Sequence, residues 1–593
     1  MFLLTFIIFL LFPSHIQAID EFSINQKTYY QIDSSLNTQV KQKVDLNNNL
    51  SEIYPKQYTV TLSGSDVSQI SASDYLGNIL KNVDQKSSQT VLQLQFNQPK
   101  MGKNQINSFE INYKANDLVT QKGNTWEITL PQYQSSQTKI DSQIEITLPS
   151  SFGKLSFSSV KNVHVDYFSN NTLIKINDAS SQKILLIFGN YQLFDFELTY
   201  YLENSSPDLI KTEIALPPQT SNQSIIFRSL DPLPENIHLD QDGNWLAQYL
   251  IPANQTIKVF AFGQAKIFPQ SSKPETIQPE LFTKSQTYWP VTDSLIQKIS
   301  QNLNTPKQIY DYVINTLSYD YDNFSSATRQ GALIALQNPT NAVCTEFTDL
   351  FVTLARAKGI PAREIEGYAY TNNTKLKPIN VDTDILHAWP QYYDFATESW
   401  KSIDPTWEKT TNGIDYFNDL DLNHLTFVIH GLDSQYPSPP GSYKNNQHIK
   451  TVVVDFAKTE LEYEYQPPTI KFVNDHPFHS SKLKVFNLNP HSLDNIQITS
   501  SQISLDQTIS QIPPYSYQEI KISQIPIPQI FLPQNQKIKF EIQYNNLTQP
   551  IIINQKYPPY FLYLITLLSL TIIILCFVGI IVTTHKKNDQ KNI

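Results

Sequence analysis

The chain has 593 residues, 44 of them basic and 54 acidic, for a formal charge of -10; it is too long for one compact core and too acidic for a nucleic-acid partner, which needs a basic face. Charged residues make up 17%, below the usual ~25%, so amides and hydroxyls do much of the solvating. The 15 glycines and 36 prolines invert average usage without any triplet period, which excludes a collagen-like fibre.

Phe2 to Phe12 is apolar apart from Thr5, and Pro13, Ser14, His15 and the small Ala18 follow. This is the layout of a signal peptide over 1–18, with cleavage expected after Ala18. From Ile19 to about 270, period-two runs rich in Thr, Val, Ile, Tyr and Phe recur, among them Tyr58 to Leu62, Val91 to Phe96, Phe109 to Tyr113, Trp126 to Leu130, Ile184 to Phe188 and Phe196 to Tyr201. Alternation turns one side of each run to a core, so these are predicted strands. Their turn-separated spacing predicts two antiparallel β-sandwich units over 19–270.

The period then changes. Ser294 to Leu317 carries Leu295, Ile299, Ile309, Val313 and Leu317, interrupted by Pro306; it reads as two short helices, the second with Thr305 as N-cap and Pro306 at its first position. Three of the four arginines, Arg329, Arg356 and Arg363, fall in this middle region. A guanidinium used so selectively implies fixed, forked hydrogen bonds.

From Cys344 onward, Phe347, Leu350, Phe351 and Leu354 follow the i, i+3, i+4, i+7 spacing of a buried helical face. Glu346 and Asp349 lie in the early turns, Arg356 and Lys358 in the last, and Gly359 with Pro361 closes a helix of about four turns. Of the two cysteines, Cys576 lies in an apolar run near the C-terminus, leaving Cys344 without a disulfide partner in the folded region. In the first turn, unpaired N–H groups and the positive end of the macrodipole favour a thiolate and could hold an oxyanion. A packed core thiol is equally compatible with that position, so partners must decide.

Ile365 to Tyr370 reads as a strand. His387, Trp389, Gln391 and Tyr393 alternate on one face of the next run, and Trp400, Ser402 and Asp404 on one face of another. If the turn of this hairpin centres on Phe395 and Ala396, Gln391 faces Trp400, Trp389 faces Ser402 and His387 faces Asp404, bringing a carboxylate to an imidazole.

These residues carry a resemblance. Cys344-Thr345-Glu346-Phe347, Arg356-Ala357-Lys358-Gly359-Ile360-Pro361-Ala362-Arg363, Gly367-Tyr368, His387-Ala388-Trp389, Trp400 and Asp404-Pro405-Thr406 together resemble the transglutaminase-like superfamily. Ala342 departs from the pattern, since many relatives have Gly two positions before the Cys. The resemblance implies a papain-related α+β domain over 280–435, with Cys344 as nucleophile, His387 as general base and acid, and Asp404 orienting the imidazole. Arg363 resembles a structural element of the family and takes no catalytic role. A Cys, His and Asp set attacks a carboxamide, expels an amine and leaves a thioester for water or a second amine. Acyl transfer on protein or peptide amides is therefore the expected activity; a peptidase or amidase of the same fold, or a non-catalytic adhesion scaffold, are the alternatives. No cofactor or metal is expected.

Beyond this domain, Thr451 to Phe456 and Lys482 to Phe486 alternate, predicting an immunoglobulin-like sandwich over 445–555. His476 and His479 lack further ligands at zinc spacing, and Asp415, Asp419 and Asp421 lack the Gly and Glu of a calcium loop. Asn49, Asn204 and Asn323 head glycosylation sequons that an Asn-rich chain produces by chance. No charge occurs between Lys556 and His585, and Tyr560 to Val582 gives 23 apolar-type residues, ~35 Å as a helix and long enough to span a bilayer. Tyr557, Tyr560 and Tyr563 sit at the interface, and Lys586, Lys587 and Lys591 put the tail 583–593 in the cytoplasm and the rest outside. The expected whole is a multidomain surface protein: a central α+β domain flanked by all-β sandwiches, held by one C-terminal transmembrane helix.

Overall fold

The computed structural model describes residues 21–589 except 64–65, 87–88, 132–139, 178–183, 270–274, 276, 323–327, 372–383, 385, 412, 445–448, 474–480, 503–504, 523–534, 545–546 and 557–559. The signal-peptide expectation, His476, His479 and Asn323 lie outside the described residues. The chain is multidomain and mostly β. By its contacts it divides into two units, Met1–Gln192 with Ile403–Leu422, and Leu193–Ser402 with Asn423–Ile593.

In the first unit an eight-stranded sheet runs in the order Val163–Tyr167, Asn171–Asn177, Ile140–Pro149, Phe22–Ile32, Thr38–Asn48, Ile106–Ala115, Val67–Asp74, Gly77–Asn78. Alternation does what the sequence implies: Thr38–Asn48 buries every second residue, Val40, Val44 and Leu46 among them, against a core that includes Ile111, Ile128, Leu130, Ile146 and Phe188. One pairing departs from the antiparallel expectation, because Phe22–Ile32 runs parallel to Ile140–Pro149. The partners are more than a hundred residues apart, long enough for the crossover that parallel strands need.

The second unit holds two further β regions. Strands Gln223–Asp231, Gln255–Ile267, Gln192–Asn204 and Val452–Phe456 make one sheet. The last of these, expected with the C-terminal sandwich, instead pairs with 194–198. Near the C-terminus two sheets close on Leu483, Val485, Ile496, Ile498, Ile512, Phe540 and Ile542.

Between them lies a helix and sheet layer whose elements we label in chain order: α1 (Ser294–Ser300), α2 (Pro306–Thr316), α3 (Ala332–Gln337), α4 (Cys344–Ala357), β1 (Ala362–Ala369), β2 (His387–Asp394), β3 (Ser399–Ser402) and β4 (His424–His430). The sheet order is β3-β2-β1-β4. Helix α2 starts as its sequence dictates, with the Thr305 side chain accepting from the Gln308 amide and Pro306 at N1. Helix α4 packs on α1, α2, α3, β1 and β2, and every residue from Glu346 to Arg356 is buried. The sequence suggested one buried face; the surrounding helices cover the other, polar side.

A helix α5 (Pro405–Thr410) follows β3, and a last helix α6 runs Tyr560–Asp589. The side chains of α6 described here, 565–580, are all exposed. Among the described residues no helix is long and apolar enough to cross a membrane, so the span expected at 560–582 is not met within them.

Candidate functional site

Cys344 is the first residue of α4 and is partly exposed. The turn that presents it is fixed from three sides. Glu346, at N3 and almost fully buried, accepts from the Val343 amide at 3.0 Å, from the Thr345 hydroxyl at 3.1 Å and, through its other oxygen, from the Gln330 amide at 2.9 Å. This is the Glu half of a capping box, which satisfies a donor that the helix itself leaves orphaned. Ahead of the cysteine, the carbonyl of the buried Ala342 accepts from the Asp320 amide at 2.9 Å. The amides of Cys344 and Thr345, at N1 and N2, have no carbonyl one turn before them and can serve an oxyanion.

At its other end α4 stops at Gly359, whose φ of 81° suits glycine, and the chain turns back into β1. That turn decides the layout. Strand β1 runs opposite to α4, and β2 runs opposite to β1, with Ala362 facing Tyr392 and Gly367 facing His387. Helix α4 and strand β2 therefore begin at the same end of the layer, one with Cys344 and the other with His387. The His387 ring lies 5.8 Å from Trp389 and 5.8 Å from His424, and Trp389 meets His424 edge-on at 5.0 Å. Gly367 makes this crowding possible, because a Cβ there would stand 2.1 Å from the Leu425 carbonyl oxygen and 3.0 Å from the Trp389 ring.

The hairpin register corrects the sequence expectation. Gln391 faces Ser402, Tyr393 faces Trp400 and Asp394 faces Ser399; His387 is not directly opposite Asp404. The turn has four residues, 395–398, rather than two. Asp394 closes it by accepting from the Ala396 amide at 3.0 Å and the Thr397 hydroxyl at 2.8 Å, and Glu398 takes a φ of 51°. Because the slip is by two residues, the alternation is unchanged. The chain leaves β3 at Ser402 in the direction of the His387 end, and Asp404 comes two residues later. Asp404 is fully buried in the segment grouped with the first unit. It is the N-cap of α5, its Oδ1 accepting from the Trp407 amide at 2.9 Å, with Pro405 at N1. The Asp-Pro-Thr triplet thus has a local reason that the sequence reading missed.

The three arginines of the region are fixed as expected. Arg356 donates to the carbonyls of Ala362 (2.9 Å), Lys284 (2.9 Å) and Gly431 (2.6 Å) and stacks on Trp289 at 4.3 Å. Arg363 donates to Gln391 at 2.7 Å over the Trp400 ring. Arg329 joins Asp349 of α4, through Nε at 3.0 Å and also through Nη2, to Glu364 of β1 at 2.7 Å. Trp289 donates to Asp349 at 2.7 Å, and His430 of β4 meets Glu364 at 3.2 Å. Burial pushes the Glu364 carboxyl up, but Arg329 and His430 outweigh it and hold it below the usual range. Burial pushes His430 down, yet Glu364 raises it to about 9. Beyond the selective use of arginine, no sequence pattern pointed to this network, which extends from Trp289 to His430.

Residues 290–405 match the model of the transglutaminase-like superfamily. No curated protein matches the chain. Among solved structures, a candidate cysteine protease from Cytophaga hutchinsonii is similar at 17% identity over 47% of this chain and 94% of its own, with a TM-score of 0.31. The periplasmic domain of TgpA from Pseudomonas aeruginosa follows at 16% identity, 38% and 94% coverage and a TM-score of 0.23. An M1 zinc metallopeptidase from Deinococcus radiodurans is 8% identical over 29% of this chain and 43% of its own, with a TM-score of 0.21.

Proposed function

We propose that the transglutaminase-like domain carried by residues 290–405 is a thiol enzyme that transfers acyl groups from protein or peptide amides, with Cys344, His387 and Asp404 as its triad. The observation that carries this reading is the shared end of the layer: a partly exposed cysteine opens α4 where the histidine opens β2. His387 takes the proton of the Cys344 thiol, and the sulfur attacks the amide carbonyl carbon. The tetrahedral oxyanion is met by the first-turn amides of α4. As the C–N bond breaks, His387 returns the proton to the leaving amine and a thioester remains. Water or a second amine attacks the thioester with His387 again as base, and the thiol leaves reprotonated. Asp404 holds the imidazole in the tautomer that can do this.

Incubating the full chain with a Gln-containing peptide, with and without a primary amine, tests the reading. Release of ammonia with incorporation of the amine supports acyl transfer; ammonia release or backbone cleavage indifferent to amine means hydrolysis. No turnover, together with iodoacetamide labelling of Cys344 only after unfolding, would leave the scaffold reading.

The same proposal places this domain outside a membrane, anchored by Tyr560 to Val582, whose described side chains, 565–580, are exposed and mostly apolar. Truncation before Tyr560 should release soluble protein into the medium, and protease added to intact cells should remove the ectodomain. Protection in intact cells would invert the orientation.

A further inference from the structure

Under α4 three side chains that the proposed chemistry does not use converge. Glu364 and Glu366 are two residues apart on β1 and so share a face, and Glu364 faces His430 of β4. One ligand atom from each of the three lies within 4.8 Å of the others. The imidazole is oriented for a metal: His430 Nε2 donates to the Pro437 carbonyl at 2.7 Å, which holds the ring with Nδ1 toward the carboxylates, as the backbone partners of metal-bound histidines do, and a cation there would replace the Nδ1 proton.

Glu364 is fully buried. Its Oε2 receives Arg329 and His430, while Oε1 has no hydrogen-bond partner, a costly state for a carboxylate oxygen away from water. Glu366 is only partly buried. The charges fit as well: Arg329 offsets Asp349, and a cation that replaces the Nδ1 proton His430 gives to Glu364 leaves a neutral imidazole and two carboxylates to balance its two charges.

We propose that Glu364, Glu366 and His430 bind a divalent cation of the zinc class, whose borderline softness suits one nitrogen and two oxygens. In a tetrahedral set with metal–ligand distances of about 2.0–2.2 Å the donor atoms stand about 3.3–3.6 Å apart, so the atoms, now within 4.8 Å of one another, draw together by rotation of the partly buried Glu366. Arg329 keeps Oε2, and Oε1 becomes the ligand atom. The ion ties β1 to β4 beneath α4 and takes no part in acyl transfer.

The full chain in detergent, stripped with EDTA and desalted, is titrated with Co²⁺, followed by calorimetry and visible absorption, and then challenged with Zn²⁺. One equivalent should bind with a d–d band that Zn²⁺ abolishes. In Glu366→Gln the band should disappear and that equivalent should weaken at least ~10-fold, the smallest loss seen when even a supporting partner of a metal ligand is removed. His430→Gln should do the same, and serves if the first variant fails to fold by circular dichroism. Failure of the unmodified chain to bind Co²⁺, or the same band and affinity in a folded variant, overturns the proposal.

Discussion

The molecule handles buried polar groups in two ways. At two strand ends of the β regions they are neutral amides. Asn204 donates through Nδ2 to the carbonyls of Asp208, Ile251 and Pro252 at 2.8, 2.9 and 3.0 Å, and Asn487 repeats the pattern with His491, Ile512 and Pro513 at 2.7, 3.1 and 2.9 Å. In both, the side-chain oxygen accepts the amide two residues on, Ser206 in one case and Asn489 in the other. Under α4 they are charged: Arg329, Asp349, Glu364 and His430. A neutral amide is cheaper to bury and indifferent to pH. A charged hub costs more and titrates, but it ties a helix to two strands at once. Charge is used where the end of α4 must be held, and amides where a strand end need only be tied off.

If the hub exists to hold α4 rather than being held by it, the thiol itself should add almost nothing to stability. Cys344→Ala should abolish acyl transfer while thermal unfolding stays within about 1 kcal/mol, since a partly exposed first-turn thiol packs little surface. Retained activity with a large loss of stability would make Cys344 a packing residue.

Asp404→Asn comes next, with a rate loss of up to ~10⁴, as in a comparable serine triad. Asparagine is as good an N-cap as aspartate, so α5 should survive and the loss should fall on the rate. His387→Ala should cost at least as much, and the pair together little more than either, because triad members act as a unit. Additive losses in a kinetic double-mutant cycle would separate the two residues.

Much of this site was legible because its signals are local: the caps of α2, the spacing inside α4, the alternation of β2 and the selective use of arginine. The register of β2 and β3 was not, because Asp394 to Glu398 can close either a two- or a four-residue turn and only the Asx hydrogen bonds of Asp394 decide. Asp404 was read for its chemistry, and its capping of α5 was overlooked although Pro405 signals it. The Arg329 hub was invisible, since nothing in the sequence relates Arg329 to His430 before the sheet order is known. The Asn204 sequon, which an Asn-rich chain produces by chance, has a local role the sequence does not show: its buried amide is committed to three carbonyls.

Breaking the hub should cost more than breaking a corner. Arg329→Met leaves Asp349 and Glu364 buried without their cation and should destabilise by about 3–5 kcal/mol in denaturant unfolding. A loss under 1 kcal/mol would mean that the hub is not what fixes α4.

The two devices should also differ in pH response. The folded-state value of His430, about 9, lies above the unfolded ~6.5. Its contribution is therefore fully present below about pH 6.5 and lost as pH rises through about 9, on the order of 3 kcal/mol. Measured with EDTA present, stability should fall across that window in the unmodified chain, and His430→Gln should remove that part of the slope. An unchanged slope would take His430 out of the titrating set.

The smallest expected effect is the sharpest test of the contrast. Asn204→Ala and Asn487→Ala each strip three buried or part-buried carbonyls of one shared donor, for which about 1–3 kcal/mol is expected. Neither amide titrates, so each loss should be the same at pH 6 and pH 9. The two should resemble each other, since both side chains do the same work: each bridges the end of its own strand to an Ile-Pro pair, Ile251-Pro252 or Ile512-Pro513, at the end of a strand in another sheet. They should also be independent, because the devices sit in different sheets with no shared partner. A double variant whose loss departs from the sum, or a loss at Asn204 that changes with pH, would show that the β regions are coupled to the charged layer, and the division between a titrating hub and indifferent corners would fail.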